Sequence, residues 1–237
     1  MTSSPDDSPA TPSTAVFFDI DGTLVDSNYA HVDAWSRAFV EVGHPVDSWR
    51  IHRSIGKDSS LLIAGLLGED VPDDLVERAK EAHTRFYDEH LGDDGDLHVL
   101  ARATDLLAEL AGRGHSVVLA TSAPENELAA LRGLLDVEDA LWAVTSSEDV
   151  ETAKPDPGIV EVALERAGVP AARAVMVGDA VFDVMAAHRA DVRCIGVLSG
   201  GFSRDELLEA GAEEVYDDVA ALLDALDTSL IGRLGRE

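Results

Sequence analysis

The chain has little that would tie it to an oxidising compartment or to a membrane. Among its 237 residues it contains one cysteine, Cys194, so no internal disulfide can form, and the apolar run VRCIGVL around this thiol predicts that it is buried. No apolar run reaches the roughly 20 residues that a helix needs to span a bilayer. The segment MTSSPDDSPATPST lacks the basic and apolar regions of a secretory signal. We therefore expect a cytoplasmic protein that does not bind membranes.

Basic residues are also scarce. Lysine and arginine together number 18 against 46 aspartates and glutamates, and the net charge is −28. Nucleic-acid binding needs a basic surface, so the composition argues against that class of partner. The lysines are Lys57, Lys80 and Lys154 alone. Because the overall field repels anions, a phosphate-binding site in this chain must concentrate positive charge of its own.

Short apolar runs that end in polar residues predict the strands of a parallel sheet. Runs that are apolar throughout are typical of strands buried on both faces, and helical patterns lie between them. This alternation favours an α/β open sheet with right-handed crossovers. The predicted strands are 15–20, 116–122, 174–179, 193–198 and 214–217. The predicted helices are 101–113, 125–135, 157–167, 183–190 and 205–210, several of them closed by glycine.

One interval interrupts this alternation. Between about residues 28 and 96 the patterns are helical, at 29–42, 59–67 and 71–90, and GDDGD at 92–96 indicates a turn or hinge. A helical block inserted after the first strand is interpreted as a cap over the strand ends. The predicted organisation is a disordered tail (1–13), an α/β core (14–27 and 97–237) and a helical cap (28–96).

Chemistry-bearing side chains stand at the carboxyl ends of the predicted strands, where ligands bind in open α/β sheets. A lysine in the loop TAKPDP and an aspartate that begins the next helix are expected at the same edge. Carboxylates that converge repel one another, so burying them together is costly unless a cation is bound. Carboxylate oxygens with room for water suit Mg²⁺. The residues of this set are Asp19, Asp21, Thr121, Lys154, Asp179 and Asp183.

This set predicts phosphoryl transfer. A magnesium ion beside a carboxylate nucleophile would attract a phosphate and neutralise charge in the transition state. Lys154 would hold the phosphate and the nucleophile together. Thr121 and Ser122, with nearby backbone N–H groups, would bind the phosphoryl oxygens.

Four ordered motifs resemble those of the haloacid dehalogenase-like (HAD) hydrolase superfamily. They are FFDIDGTLVDS, LATS, AKPDP and VMVGDAVFDV, and the resemblance runs from about residue 15 to residue 216. It implies a Rossmann-like three-layer core with a helical cap inserted after the first motif.

The resemblance also implies roles for the motif residues. Asp19 would attack phosphorus to give an aspartyl phosphate, while Asp21 would protonate the leaving oxygen and then activate water. Magnesium would be held by Asp19, the backbone carbonyl of Asp21 and Asp179, supported by Asp183. True haloacid dehalogenases lack an aspartate at the place of Asp21, so dehalogenation is disfavoured.

The helical block is expected to select the substrate. RSIGKDSS, residues 53–60, resembles the substrate-specificity loop of capped family members, with Arg53, Gly56 and Lys57 as candidate contacts. The segment NYAHVDAW places His31 and Trp35 where β-phosphoglucomutase has a histidine and a tryptophan, and the histidine of such mutases supports the residue that corresponds to Asp21.

Three functions remain in competition. The preferred one is a magnesium-dependent phosphatase acting on a small phosphorylated metabolite, similar to phosphoglycolate phosphatase, because Gly178 precedes Asp179 where the mutase usually has glutamate. A β-phosphoglucomutase-like sugar-phosphate mutase is the alternative. A catalytically silent binding protein is disfavoured, since such a relative has no reason to keep the whole motif set. A monomer and a homodimer are both compatible with the sequence.

Overall fold

A computed structural model describes residues 14–91, 97–150 and 154–235. The predicted tail 1–13 and the predicted turn 92–96 lie outside the described residues. In chain order the strands are β1 (Ala15–Phe18), β2 (Val25–Asp26), β3 (His98–Val99), β4 (Ser116–Ala120), β5 (Ala143–Thr145), β6 (Ala174–Gly178), β7 (Arg193–Val197) and β8 (Glu214–Tyr216). The helices are α1 (Asn28–Glu41), α2 (Ser48–His52), α3 (Ser59–Leu67), α4 (Asp73–Leu91), α5 (Ala103–Gly112), α6 (Glu125–Leu135), α7 (Gly158–Ala167), α8 (Val181–Arg189), α9 (Arg204–Ala210), α10 (Val219–Asp224) and α11 (Leu230–Arg233).

Six parallel strands form the central sheet in the order β5-β4-β1-β6-β7-β8. The middle strand, β1, pairs in register with β4 and β6, so that Phe18 lies beside Leu119 on one side and Val177 on the other. All five predicted strands are present. The short strand β5 was not predicted, because three residues carry too little pattern to be told from a loop. The α/β class with a parallel sheet is confirmed.

Helices cover both faces of this sheet. Side chains alternate along a strand, so Val16 and Phe18 point to one face while Ala15 and Phe17 point to the other. The first face packs against α5, α6, α10 and α11, and the second against α7, α8 and α9. The sheet is therefore buried on both sides, which explains why its strands read as uninterrupted apolar runs.

Helices α1 to α4 form a helical block (residues 28–91) with a hydrophobic core of its own. Trp35, Phe39, Ile51 and Ile63 are buried in that core. The helix α2 was not predicted, because five residues show little periodicity. Strands β2 and β3 pair antiparallel on the two sides of the block, with Val25 opposite Val99. The chain thus leaves the sheet and returns to it through a two-stranded ribbon.

Within the described ranges, every helix is too short or too polar to cross a lipid bilayer.

Candidate active site

Asp19 lies directly after β1, at the carboxyl edge of the sheet. Its backbone N–H donates to the carbonyl of Val177 at 3.0 Å, which fixes the first residue beyond the strand. The carboxylate is buried, and its Oδ1 accepts a hydrogen bond from Lys154 Nζ at 2.6 Å. Burial raises the pKa of Asp19 to about 7, although Lys154 opposes that shift. The side chain is therefore held by a buried cation in an environment that disfavours its charge.

Asp19, Asp179 and Asp183 form a buried carboxylate cluster, in which one oxygen of each lies within 4.8 Å of the others. Asp179 follows β6, and Asp183 lies in the first turn of α8, where its Oδ2 accepts from the Ala180 N–H at 3.0 Å. Lys154 Nζ is 2.8 Å from Asp183 Oδ1. Burial, together with the two neighbouring carboxylates, raises the pKa of Asp179 well above its usual range.

The three buried carboxylates carry more negative charge than Lys154 alone can balance. Every potential metal ligand in the cluster is a carboxylate oxygen. A divalent cation would relieve this repulsion, and oxygen ligands are those that Mg²⁺ prefers. The residues present therefore fit a magnesium site. Lys154 keeps its proton there, because Asp183 and Asp19 raise its pKa although burial opposes the charge.

Thr23, in the loop between β1 and β2, and Asn28, the first residue of α1, orient Asp179. Thr23 Oγ1 donates to its Oδ1 at 3.2 Å, and Asn28 Nδ2 donates to its Oδ2 at 2.9 Å. Gly200 packs so closely that a Cβ at this position would lie 1.6 Å from Asp179 Oδ2 and 2.6 Å from its Cβ. Only glycine leaves room for the carboxylate at this point.

Asp21 lies two residues beyond Asp19 and belongs to a second cluster. Its Oδ1 accepts from Ser27 Oγ at 2.5 Å and is 3.4 Å from His31 Nε2, which is also 3.4 Å from Glu127 Oε1. Burial opposes the charge on His31, but Asp21 and Glu127 raise its pKa to about 10. In return, His31 and Ser27 lower the pKa of Asp21 against the effect of burial. His31 thus stands as an imidazolium between two carboxylates.

A stack of rings from the helical block holds His31 in place. Its ring lies 4.0 Å from that of Tyr87 with a tilt of 4°, and its Nδ1 is 3.2 Å from His83 Nε2. Burial and the charge on His31 lower the pKa of His83 well below its usual value, so His83 is the neutral acceptor of this contact. His83 in turn stacks on Trp35 at 4.2 Å. The charged imidazole is therefore fixed by aromatic neighbours on the side away from Asp21.

Two hydroxyls lie at the end of β4. Thr121 is fully buried, and its Oγ1 accepts from the Ala123 N–H at 3.0 Å, which leaves the hydroxyl proton for a ligand. Ser122 Oγ is buried without a hydrogen-bond partner among the described residues. A buried polar atom of this kind costs free energy until something binds it. Both residues line the cavity described next.

A cavity of about 280 Å³ separates the sheet edge from the helical block. Asp19, Asp21, Thr121, Ser122 and Lys154 line it from the sheet side. Gly56, Lys57, Lys80, His83, Trp35 and His31 line it from the helical block. Pockets for drug-sized ligands begin at about 300 Å³, so this space fits a small metabolite.

The loop between α2 and α3 approaches the sheet domain closely. Gly56 has φ +92°, and a Cβ there would lie 3.1 Å from the Ala180 Cβ. Lys57 Nζ lies 4.8 Å from the centre of the Phe182 ring and lines the cavity. Arg53 is not among the lining residues: it forms an ion pair with Glu206 and lies 4.0 Å over the Phe202 ring. The structure places Arg53 at the contact between the helical block and the sheet domain.

Sequence reasoning assigned no role to several residues that the fold brings to the site. Asn28 and Thr23 orient Asp179, and Glu127 pairs with His31. Glu127 stands in ENELAAL, which has the pattern of an ordinary amphipathic helix. Lys80 did carry a signal, since it is one of three lysines in a strongly acidic chain.

Comparisons with known proteins agree on one family. The model of the haloacid dehalogenase-like hydrolases matches residues 14–191. A phosphoglycolate phosphatase from Rhodospirillum rubrum is 36% identical over 220 residues, which cover 90% of each chain. A solved hydrolase structure from Pseudomonas syringae has a TM-score of 0.85 at 34% identity, covering 91% of this chain and 99% of that one. A Bacteroides vulgatus protein assigned as a β-phosphoglucomutase has a TM-score of 0.83 at 20% identity, covering 95% and 91%, and supports the fold alone.

Proposed function

The chain belongs to the haloacid dehalogenase-like hydrolase family, and we propose that it is a magnesium-dependent phosphatase of a small phosphorylated metabolite that works through an aspartyl phosphate on Asp19. The observation that carries the proposal is the 2.6 Å contact between Lys154 Nζ and Asp19, the two members of the buried charged cluster that line the cavity. A nucleophile, a cation to hold the phosphate and a set of metal ligands meet there.

In the first step an Asp19 carboxylate oxygen attacks phosphorus, and the bond from phosphorus to the ester oxygen breaks. Asp21 enters this step protonated, although His31 and Ser27 lower its pKa in the free protein. The departing oxygen takes this proton, so that an alcohol leaves and Asp19 carries the phosphoryl group. Lys154 orients Asp19 and offsets charge on the phosphoryl oxygens, while the Thr121 and Ser122 hydroxyls donate to those oxygens. The buried Ser122 hydroxyl gains in this way the partner that it lacks.

In the second step a water molecule attacks the phosphorus of the aspartyl phosphate. Asp21, now deprotonated, takes a proton from that water, and the bond between phosphorus and Asp19 breaks to release inorganic phosphate. His31 keeps Asp21 in place for both steps through the 3.4 Å contact, and Glu127 and the ring stack keep His31 in place.

Asp19, Asp179 and Asp183, with the backbone carbonyl of Asp21, would hold the magnesium ion. When bound, the ion supplies positive charge that allows the anionic ester to approach Asp19. Thr23 and Asn28 support the ligand set by fixing both oxygens of Asp179.

Two measurements test the proposal. The wild-type protein should release p-nitrophenol from p-nitrophenyl phosphate, and EDTA should abolish this activity until magnesium is restored. Asp19→Asn should reduce turnover by more than about a thousandfold, because an amide is a poor nucleophile. Asp26→Asn, at an exposed aspartate nearby on β2, is the matched control and should retain activity. Turnover by Asp19→Asn at the wild-type rate would exclude Asp19 as the nucleophile.

The mutase alternative differs in its product. A phosphatase converts β-glucose 1-phosphate to glucose and inorganic phosphate, whereas a mutase, primed with a trace of the bisphosphate, forms glucose 6-phosphate. We expect inorganic phosphate as the main product. Accumulation of glucose 6-phosphate would contradict the phosphatase assignment while leaving the role of Asp19 intact.

A further inference from the structure

One short turn of the sheet domain contacts both the helical block and the carboxylate of Asp179. It is the segment Leu198–Gly201 directly after β7, which we call the glycine turn. The Ser199 hydroxyl donates to the carbonyl of Gly22 at 2.6 Å, so the turn is tied to the loop that follows β1. The close approach of Gly200 to Asp179 then places this turn against a proposed magnesium ligand.

The helical block holds the glycine turn through His52, the last residue of α2. His52 Nε2 is 3.1 Å from the Gly200 carbonyl, and it must carry the proton of this hydrogen bond, since a carbonyl oxygen can only accept. The ring of Tyr29 stacks on the His52 ring at 5.3 Å. Gly201 makes the approach possible, because a Cβ there would lie 2.8 Å from His52 Cε1.

Asn28, the first residue of the helical block, reaches the same place directly. Its Nδ2 donates to Asp179 Oδ2 at 2.9 Å and to the Gly200 carbonyl at 3.4 Å. Both partners are acceptors, so the amide nitrogen must face them and Oδ1 must face elsewhere. This Oδ1 is buried without a hydrogen-bond partner among the described residues.

The unpartnered oxygen of Asn28 indicates that a donor is still to be supplied. A buried acceptor costs free energy until it is satisfied, and the side chain is 4% exposed. Magnesium keeps several of its waters when it binds to carboxylates, and such waters are donors of the required kind. Asn28 therefore fits a support for both the ligand Asp179 and the hydration of the ion.

We propose that Asn28 and His52 are positioning residues that couple magnesium binding to the packing of the helical block against the sheet domain. The proposal rests on the proposed magnesium site and adds a dependence of that site on the helical block. Asn28 acts on Asp179 directly, whereas His52 acts through Gly200, which packs against the same carboxylate. Because coupling between two equilibria is reciprocal, magnesium must in turn hold the helical block in place.

Calorimetric titration with Mg²⁺ in the absence of substrate tests the first direction of the coupling. In Asn28→Ala the Kd for magnesium should rise by about tenfold or more. In His52→Ala it should rise by about threefold or more, although the acceptor of His52 is a backbone carbonyl and not a metal ligand. Trp49→Ala, at an exposed position on the same helix, is the control and should leave the Kd unchanged. Circular dichroism checks that each variant is folded.

Hydrogen exchange tests the reverse direction. In the wild-type protein, magnesium should slow exchange of the Ile51 and Arg53 amides, which bond to carbonyls of the preceding turn, by about threefold or more. Exchange in α10, which lies on the sheet face away from the helical block, should not change. Asn28→Ala should lose most of the protection that magnesium gives to α2.

The outcomes separate the coupling from the proposed function. An unchanged magnesium affinity in either Asn28→Ala or His52→Ala overturns the coupling, and so does exchange in α2 that magnesium does not alter. Each of these results leaves the phosphatase function standing as long as the wild-type protein binds magnesium and hydrolyses p-nitrophenyl phosphate. A wild-type protein that binds no magnesium overturns the proposed metal site, and the coupling with it.

Discussion

The two sides of the cavity hold their charges in opposite ways. At the sheet edge, Lys154 is 1% exposed and forms ion pairs with two buried carboxylates, those of Asp19 at 2.6 Å and Asp183 at 2.8 Å. On the helical block, Lys57 lies against an aromatic ring, and Lys80 has an exposed glutamate as its partner. The charges on the first side are buried and paired with one another, whereas those on the second side have an aromatic or an exposed partner that can change.

We propose that this difference separates the residues that carry out the reaction from those that select the substrate. Buried, mutually bonded charges keep one geometry, which suits a chemical step that depends on fractions of an ångström. Cations with weak partners can be recruited by an anionic ligand at little cost. Substitutions on the sheet side should therefore reduce both stability and turnover, whereas substitutions on the helical side should alter substrate affinity.

Replacement of Lys154 should give the largest effect. Lys154→Met leaves Asp19 and Asp183 buried without their cation, so in EDTA the free energy of unfolding should fall by about 3 kcal/mol or more, and kcat with magnesium by about a hundredfold or more. Lys80→Met should lower the free energy of unfolding by less than about 1 kcal/mol. Urea denaturation measures both. Equal losses of stability would remove the contrast between the two sides.

Gly200→Ala should have the next largest effect. The added Cβ displaces the Asp179 carboxylate and thereby a proposed magnesium ligand. We expect activity at low magnesium to fall by about tenfold or more, with a higher magnesium concentration needed for half-maximal rate. Gly112→Ala is the control, because a Cβ there has no neighbour within 4 Å. An unchanged magnesium requirement in Gly200→Ala would argue against Asp179 as a ligand.

His31→Gln should have a smaller effect that depends on pH. The pKa of His31 is raised from 6.5 to about 10 in the folded protein by Asp21 and Glu127, while His83 faces it as a neutral group. The stabilisation by His31 is therefore complete below pH 6.5 and is lost as the pH rises towards 10. The difference in unfolding free energy between wild type and variant should accordingly be largest near pH 6 and shrink towards pH 10. The exposed His98→Gln variant is the control, and a difference independent of pH would contradict the imidazolium assignment.

Arg53→Met should have the smallest effect. It removes the ion pair with Glu206 and the contact with Phe202, each worth about 1 kcal/mol or less at an exposed site, so KM should rise only about two- to threefold. Arg85→Met is a matched control, since Arg85 pairs with Glu41 and lies over Phe86 inside the helical block. A rise in KM of tenfold or more would instead favour the predicted direct contact between Arg53 and substrate.

The sheet could be predicted because its strands are buried on both faces and so appear as continuous apolar runs. The same logic located Asp19, Thr121 and Asp179, which directly follow such runs. The strand β5 and the β2–β3 ribbon could not be found, because they are two or three residues long and are defined by their partners. Their pairing is a property of the assembled fold.

The helical contributions to the cavity were harder to predict for another reason. Glu127 and Lys80 stand on helices with ordinary amphipathic patterns, and a helix can turn several of its residues towards a neighbour. Which residue faces the cavity depends on how α6 and α4 pack against the rest of the molecule. Arg53 is the opposite case. Its motif resembled a substrate-binding loop, but its side chain forms an ion pair with Glu206 and lies over the Phe202 ring.

The position of Asn28 has a consequence for exchanging helical blocks between relatives. This residue begins α1, and yet its side chain donates to Asp179, which follows β6 of the sheet. A chimera joined ahead of it would import a foreign first residue and disturb the proposed metal ligand even if the grafted helices folded well. Junctions that keep Asn28 and the β2–β3 pairing with the recipient would transfer the donor's specificity without changing the reaction centre.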